Sequence, residues 1–326
     1  MEIKSIRVPF RSKLLLAAAI TLSTTGFNSV MANDDVKLTS PYGAGDMAGA
    51  SNLMTPDKVL EAMKLMTSGT VVSIGRTYES GMPLFGARAF ALRGTGGLAG
   101  GPVGENEVIW MDDFLATEIG QVGTQFDGLA HIGIGNKNKQ FYNGVPVGEV
   151  IGTYGVNKLG LEHVKPFFTR GVLIDMVALK GKAMEAGEEI TSDDIKAALE
   201  KQGTPPPGKG DVVLVHTGWG QHWITDNEKF NSGAPGLGLD AAAYLIEAGI
   251  AIAGSDTWPV EVVPNPNPAL AFPVHQEFLT KNGIFIHENI ATERLAEVGV
   301  YEFAYIFNPM PVKGATGSPG APLAVY

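Results

Sequence analysis

Five short apolar runs, rich in Val, Ile and Phe, most constrain what this 326-residue chain can fold into. Runs of five to seven apolar residues without polar alternation are typical of strands that are buried on both faces of a sheet. They cover residues 71–75, 172–176, 212–216, 250–254 and 301–307. The sequence therefore predicts a fold that is built on buried strands.

Three helices are predicted between these runs, at residues 55–67, 192–202 and 239–248. Thr55 is a suitable N-cap with Pro56 at the first helical position, and Gly203 and Gly249 follow the ends of the other two helices. Strands and helices alternate without a strict βαβ rhythm, and there is no Gly-rich nucleotide loop. These features indicate a single α/β domain.

The N-terminus has the pattern of a secretory signal peptide. Basic residues in the first thirteen positions precede an apolar run at 14–27, and Val30-Met31-Ala32 offers a small-residue cleavage site. The run is too short and too interrupted for a spanning helix. We expect a signal peptide at 1–32, a mature domain at 33–326 and a periplasmic or secreted protein. A short anchored N-terminus is the alternative.

Composition excludes several classes of protein. The formal net charge of −10 argues against nucleic-acid or anionic-membrane partners. The absence of Cys rules out disulfides and thiolate metal sites. A hydrophobic content of 44% is ample for a packed core, so we expect a globular protein. A small-molecule partner is expected from the candidate site described next.

The segment 121–131, Gln-Val-Gly-Thr-Gln-Phe-Asp-Gly-Leu-Ala-His, places an acid, an imidazole and two carboxamides on what we interpret as a short Gly-punctuated loop. Such a loop can offer several oxygen and nitrogen ligands to one point, and His131 could carry a proton. The alternative is that Gln125 and Asp127 hydrogen-bond only their own turn. The residues alone leave the two interpretations about even.

The same segment resembles the signature H-x-G-T-H-x-D-x-P-x-H of the cyclase family of metal-dependent hydrolases, which includes bacterial kynurenine formamidases and isatin hydrolases. Gly123, Thr124, Asp127 and His131 match in register, whereas Gln121 and Gln125 stand at the two metal-binding His positions. Further similar segments occur in the family's order along the chain. They are DMAGASNLMT at 46–55, the strand-like GDVVLVHTGW at 210–219, GSDT at 254–257, His275, Glu288-Asn289 and GATGSP at 314–319.

The resemblance implies the family's swivelling β/β/α fold and a divalent metal site. It assigns Gln121, Gln125, Asp127, His275 and Glu288 to metal positions and His131 to acid–base catalysis. Because an amide oxygen replaces an imidazole nitrogen at two positions, we expect manganese or zinc to be held weakly, or no ion at all. The resemblance also implies a homo-oligomer, a dimer or a tetramer.

Other polar and aromatic residues follow the predicted strands. Asp175, His216 and Asp256 lie at strand ends, where α/β folds bind ligands, although each alone is more often a cap or turn residue. We predict Asp256, Trp219 and Trp258 as substrate-binding residues, with core packing as the alternative for the tryptophans. His163, His222 and His287 are expected to be structural or at the surface.

Two functions follow. The first is a metal-dependent hydrolase that cleaves a C–N amide bond, in an aryl formamide or a cyclic amide or imide, or a lactone. The second is a degenerate family member that binds a small aromatic or cyclic carbonyl compound without metal catalysis.

Overall fold

The computed structural model of the chain describes residues 38–94, 99–135 and 137–326. The predicted signal peptide at 1–32 lies outside this range. Within these three segments, no helix is long and apolar enough to cross a membrane.

The described residues form fifteen strands, most of them short. In chain order they are β1 (Val71–Ser73), β2 (Phe90–Gly94), β3 (Gly100–Val103), β4 (Val108–Trp110), β5 (Asp113–Thr117), β6 (Gln125–Asp127), β7 (Phe167–Asp175), β8 (Glu189–Ile190), β9 (Val212–His216), β10 (Gly236–Leu237), β11 (Ile252–Ser255), β12 (Phe285–Glu288), β13 (Glu302–Phe307), β14 (Gly317–Pro319) and β15 (Leu323–Val325).

Helices connect these strands. The α-helices are α1 (Pro56–Met63), α2 (Val147–Val150), α3 (Met176–Lys180), α4 (Ser192–Gln202), α5 (Asn227–Ser232), α6 (Leu239–Ala248), α7 (Pro273–His275) and α8 (Glu293–Ala296). A π-helix, Gln276–Asn282, continues α7. Short 3₁₀ turns lie at Gly49–Leu53, Tyr142–Gly144, Leu161–His163 and Trp219–His222.

Nine strands form one mixed sheet in the order β1-β15-β13-β7-β9-β11-β12-β6-β14. The four strands β7, β9, β11 and β12 are parallel, and the strands on either side of them are antiparallel. Parallel neighbours need crossover connections, which α4, α6 and the π-helix supply. The predicted single α/β domain is confirmed.

Both faces of the central strands β9 and β11 are buried, as the apolar runs at 212–216 and 250–254 predicted. Val213 and Val215 of β9 face α4 and α6, in a cluster that includes Ile195 and Leu245. The alternating residues of the same strands face the opposite cluster, which is rich in aromatic side chains such as Phe126. A buried layer therefore lies on each side of the central strands.

The predicted helices match closely where caps define them. Helices α4 and α6 have the predicted bounds and end at the left-handed glycines Gly203 and Gly249. Helix α1 has the predicted Thr55 cap but ends at Met63, four residues before the expected end, because no C-cap residue was available to define it. The predicted helix at 55–67 was therefore too long at its C-terminal end.

The five predicted strands are all present, and four of them have shifted ends. The prediction that residues 71–75 form a buried strand was wrong in its burial, because β1 lies at the edge of the sheet and Val71 and Ser73 are exposed. The run 212–216 is strand β9. The run 172–176 is the second half of a longer strand, β7, which ends at Asp175 because the Asp175 carboxylate caps α3. Several strands had no strand-like run in the sequence, among them β6, which lies inside the segment that we interpreted as a loop.

Six strands stand apart from the large sheet, and two of them, β8 and β10, pair with each other in parallel. Strand β2 pairs with β5, and β3 pairs with β4, and neither pair joins the nine-stranded sheet. We call β2, β3, β4 and β5 together the β-arm. Almost all of its residues are exposed.

Candidate metal centre and active site

The candidate site is built on the pairing of β6 with β12. Gln125 lies opposite Glu288, and Asp127 lies opposite Ile286. Side chains alternate between the two faces of a strand, so Gln125, Asp127 and Glu288 share one face. Phe126 and His287 point the other way, into the aromatic core, where their rings meet edge-to-face.

A tight turn leads the chain into β6. Gly123 has φ +63°, and a Cβ at this position would overlap the ring of Tyr78, so the turn needs glycine. Asn289 Nδ2 donates to Gly123 O at 2.7 Å, and Thr124 Oγ1 donates to Asn289 O at 2.9 Å. These bonds fix the start of β6 against the end of β12.

Three buried side chains converge on this face: Asp127, His275 and Glu288. One ligand atom from each lies within 4.8 Å of the other two. The His275 Nε2 atom is 3.2 Å from Glu288 Oε1 and 3.8 Å from Asp127 Oδ2. All three of the residues come from positions that the sequence assigned to a metal site.

A further carboxylate, that of Glu261, orients His275. It accepts the backbone N–H groups of Val274 and His275, and it lies 2.6 Å from His275 Nδ1. A carboxylate behind one imidazole nitrogen is the usual support of a metal-binding histidine, because it directs the other nitrogen toward the ion. Burial acts to lower the pKa of His275, but the hydrogen bonds to Glu261 and Glu288 outweigh it and raise the pKa to about 10.

The amide nitrogens of Gln121 and Gln125 each face a carboxylate, and the amide oxygen of Gln121 is already engaged by Arg88. Gln121 Oε1 accepts from Arg88 Nη2 at 2.9 Å, and Gln121 Nε2 donates to Asp127 Oδ1 at 2.8 Å. Since a guanidinium can only donate, the carbonyl oxygen of Gln121 must face Arg88. Gln125 Nε2 donates to Glu288 Oε2 at 2.7 Å. Their N–H groups therefore hold the two carboxylates, whereas the sequence had predicted that amide oxygens would bind the ion directly.

The donor set fits a divalent cation. Asp127 is fully buried, and its Oδ2 has no hydrogen-bond partner. Burial raises the pKa of Asp127, a direction that marks a carboxylate without sufficient compensation. Asp127, Glu261 and Glu288 bring three acidic groups around one imidazole, and two carboxylates with one imidazole suit manganese or zinc.

A cavity of about 190 Å³ opens onto this cluster. Gln121, Gln125, His275 and Glu288 contribute to its floor, and Asp127 lies immediately behind them. Phe85 and Trp258, which stack with their centroids 4.1 Å apart, form part of the wall. Such a site is apolar on its sides and polar at its base, which is typical of small-molecule pockets.

His131 also lines the cavity. Its Nε2 is 3.9 Å from Asp127 Oδ2, and its side chain is 22% exposed. The structure thus brings His131 together with the five predicted metal-site residues. An imidazole that faces both the cavity and the acidic cluster is placed to exchange a proton with a bound compound.

Of the three predicted substrate-binding residues, one lines the cavity and two do not. Trp258 lines the cavity. Trp219 and Asp256 do not: Trp219 is buried, with its indole N–H donating to Phe230 O. The Asp256 carboxylate accepts from the backbone N–H groups of Thr217, Gly218 and Gly220, so it fixes a turn. The expectation that both residues line the pocket was wrong. Trp219 packs in the core, and the Asp256 carboxylate binds the backbone of a turn.

The remaining strand-end residues and histidines are also outside the cavity lining. Asp175 caps α3, and His216 Nδ1 contacts Thr292 Oγ1 at 2.8 Å. His287 is buried and contacts the hydroxyl of Tyr305 at 2.6 Å, which confirms its expected structural role.

Sequence reasoning missed Glu261, Arg88 and Phe85. Glu261 carried a usable signal, because a carboxylate between Val260 and Val262 predicts a buried charge that needs a partner. Arg88 and Phe85 carried none, since a single Arg or Phe in a Gly-rich segment has many possible locations.

Comparisons with known proteins identify the family and the fold. Residues 38–262 match the sequence profile of the family Cyclase, described as putative cyclase. A solved structure described as a novel cyclase is 29% identical with a TM-score of 0.77, and the match covers 87% of this chain and 96% of that one. No curated protein sequence matches the chain.

Two isatin hydrolases share the fold at lower identity. Isatin hydrolase A from Labrenzia aggregata, bound to benzyl benzoate, is 19% identical with a TM-score of 0.60, over 82% of this chain and 98% of that one. Isatin hydrolase A from Ralstonia solanacearum is 18% identical with a TM-score of 0.58, over 83% and 98%.

Proposed function

We propose that this chain, which belongs to the cyclase family, is a metal-dependent hydrolase that cleaves the C–N bond of an aryl formamide or of a cyclic amide or imide, or the acyl C–O bond of a lactone. The observation that carries the proposal is the buried Oδ2 of Asp127, which has no hydrogen-bond donor among the described residues. A buried carboxylate oxygen without a donor is costly unless a cation meets it. The oxygen lies beside His275 and Glu288, both of which line the cavity.

We assign Asp127, His275 and Glu288 as the residues that would hold a manganese or zinc ion. When bound, such an ion lowers the pKa of water and polarises a carbonyl group. Gln121 and Gln125 keep the two carboxylates in place through their N–H groups. Glu261 fixes the ring of His275.

His131 is proposed as the general acid–base group. Its position between the cavity and Asp127 allows the imidazole to accept a proton from the attacking water and to return it to the leaving nitrogen or oxygen. Atoms balance in this scheme: the OH of water joins the acyl carbon, the acyl C–N or C–O bond breaks, and the proton goes to the leaving nitrogen or oxygen. The products are a carboxylic acid and an amine, an amide or an alcohol.

The cavity favours a planar carbonyl compound of modest size. Phe85, Trp258 and Phe272 present aromatic surfaces to it, and Arg88 supplies a cation at its edge. A guanidinium can hold a carboxylate, which each of these hydrolyses would produce. The fold neighbours named isatin hydrolases support a cyclic amide as the first compound to test.

Metal analysis and a substrate panel test the proposal. The purified protein is loaded with Mn²⁺ or Zn²⁺ and assayed on N-formyl-arylamines, cyclic imides and lactones. Replacing His131 by Ala should lower turnover about a hundredfold or more, with a much smaller effect on substrate binding. His163→Ala is the matched control, because His163 is a partly exposed histidine outside the cavity.

Three outcomes decide it. Turnover by the parent and its loss in His131→Ala but not in His163→Ala support the proposal. A folded His131→Ala variant with parental turnover refutes the proton-transfer role. A parent that takes up neither ion and is inactive on the whole panel favours the alternative of a binding protein for cyclic carbonyl compounds.

A further inference from the structure

The π-helix Gln276–Asn282 begins directly after His275, one of the three residues of the candidate metal site. Hydrogen bonds in a π-helix join residues five apart, so a residue five positions along the chain lies one turn above the first. In an α-helix the same two residues would be turned about 140° apart. The π-turn therefore brings Thr280 to the side of the helix that carries His275.

Two side chains of this π-helix hold the segment that follows His131. Thr280 Oγ1 donates to Ile132 O at 2.8 Å, and Gln276 Nε2 donates to Gly133 O at 3.1 Å. Residues 131–133 lie between a turn and a single β-bridge at residue 134, and they belong to no strand or helix. The π-helix thus supplies the hydrogen bonds that neighbouring strands supply to β6.

These contacts lie behind the cavity wall. Thr280 is fully buried, and neither Thr280 nor Gln276 is among the residues that line the cavity. On the other side of His131 the backbone is fixed too, because His131 N donates to Gly128 O at 3.0 Å. The backbone that carries the His131 ring is therefore held both before and after this residue.

We propose that Thr280 is a positioning residue, which sets the location of the proton-carrying His131 relative to the metal-site residue His275. The inference rests on the role that is proposed for His131 above. One short helix connects the two histidines: His275 precedes it, and Thr280 on the same side holds the backbone next to His131. An acid–base group must stay within hydrogen-bond reach of the proton that it moves, and a displacement of about 1 Å can cost roughly a hundredfold in rate.

Thr280→Val tests this role, because valine has nearly the shape of threonine but no hydroxyl group. In the Mn²⁺-loaded protein, kcat should fall about ten- to a hundredfold, whereas KM and the uptake of Mn²⁺ should change less than about twofold. Thr280→Ser keeps the hydroxyl group and should restore kcat.

Thr169→Val is the matched control. Thr169 is equally buried, and its Oγ1 donates to a backbone carbonyl, that of Gly210, at 2.7 Å. This threonine lies in strand β7 and does not line the cavity. Its replacement should lower the melting temperature about as much as Thr280→Val, because each change leaves one buried carbonyl without its donor. The kcat of the control variant should equal that of the parent.

A second measurement does not depend on turnover. The chain has six histidines, so isotope-labelled histidine gives few imidazole signals in NMR spectra, and the signal that is lost in His131→Ala belongs to His131. This signal should shift in Thr280→Val and keep its parental position in Thr169→Val. Gln276→Met removes the second hydrogen bond at a half-buried position, and it takes the place of Thr280→Val if that variant does not fold.

Four outcomes bear on the inference. A folded Thr280→Val protein with parental kcat and an unmoved His131 signal refutes it. Equal losses of kcat in Thr280→Val and Thr169→Val also refute it, since the effect would then come from stability alone. A raised KM with unchanged kcat does so as well, because Thr280 would then only shape the cavity wall at Ile132. A parent without turnover contradicts the proposed function, and the His131 signal then decides the positioning role by itself.

Discussion

Replacing Asp127 by Asn tests two effects of the Asp127 carboxylate. The first is the destabilisation of the metal-free fold, and the second is the binding of a metal ion. Gln121 Nε2 donates to Asp127 Oδ1, and the oxygen of an Asn side chain can accept the same bond. The substitution therefore removes chiefly the charge and the partnerless Oδ2. In protein freed of metal by a chelator, the variant should be at least as stable as the parent.

The expected stability of the Asn variant follows from the linkage between the pKa of Asp127 and folding. Burial raises the folded-state pKa of Asp127 above its ordinary value, so the ionised carboxylate destabilises the fold at neutral pH and ceases to do so as pH falls below the folded pKa. Each unit of the shift is worth about 1.4 kcal/mol. Asn carries no charge and avoids this cost.

Metal should reverse the order of stability. A ligand at a hundred times its Kd stabilises the folded state by about 2.7 kcal/mol, or roughly 5 °C in Tm for a domain of this size. With Mn²⁺ in excess, the parent should gain this increment and Asp127→Asn almost none. Differential scanning fluorimetry with and without chelator measures both Tm values.

Asp256→Asn is the matched control, a second buried aspartate whose oxygens all have donors. Its Oδ2 accepts from Gly218 and Gly220, and an amide N–H in its place would face those donors. We expect a loss of about 3 kcal/mol with the response to Mn²⁺ intact. The reasoning is refuted if Asp127→Asn melts several degrees below the parent in chelator, or if it gains as much from Mn²⁺.

Three further predictions address the metal, acid stability and export. Changing both Gln121 and Gln125 to His should raise zinc affinity markedly in calorimetric titrations, because imidazole suits zinc better than a carboxamide; unchanged affinity would mean that neither position reaches the ion. Burial lowers the pKa of His287 to about 3, so unfolding takes up a proton and stability should fall by up to about 1.4 kcal/mol per unit as pH drops from about 6.5 toward 3. In His287→Gln, urea midpoints should decline less steeply, and an equal slope would assign the effect to other groups. Mass spectrometry of periplasmic protein should find a mature chain that begins near Asn33, and an intact Met1 there would contradict the signal peptide.

The sequence predicted those parts of the fold that local chemistry determines. Helices α4 and α6 have a glycine at the end that fixes their bounds, and residues 212–215 are all apolar, as a doubly buried strand requires. Strand β6 could not be predicted in this way. Its residues Gln125 and Asp127 are polar, and they form a strand because β12 and β14 pair with them on either side.

The sequence predicted which residues form the site better than it predicted how their side chains are oriented. Asp127, His275 and Glu288 were identified by their places in the resemblance, and the structure brings them together. The orientation of Gln121 depends on Arg88, 33 residues away, so no local pattern could reveal that its oxygen is already taken. The part played by Asp256 likewise follows from a turn that only tertiary structure creates.

The pairing of β6 with β12 also sets when the protein can acquire its function. Gln125 and Glu288 are 163 residues apart in the chain, and His275 too lies far beyond β6. During synthesis, β6 emerges well before the strand that positions it, and pairings over such separations form slowly. Ion binding during refolding should therefore follow the collapse of the central parallel strands. The binding of an ion would then show that β6 has paired with β12.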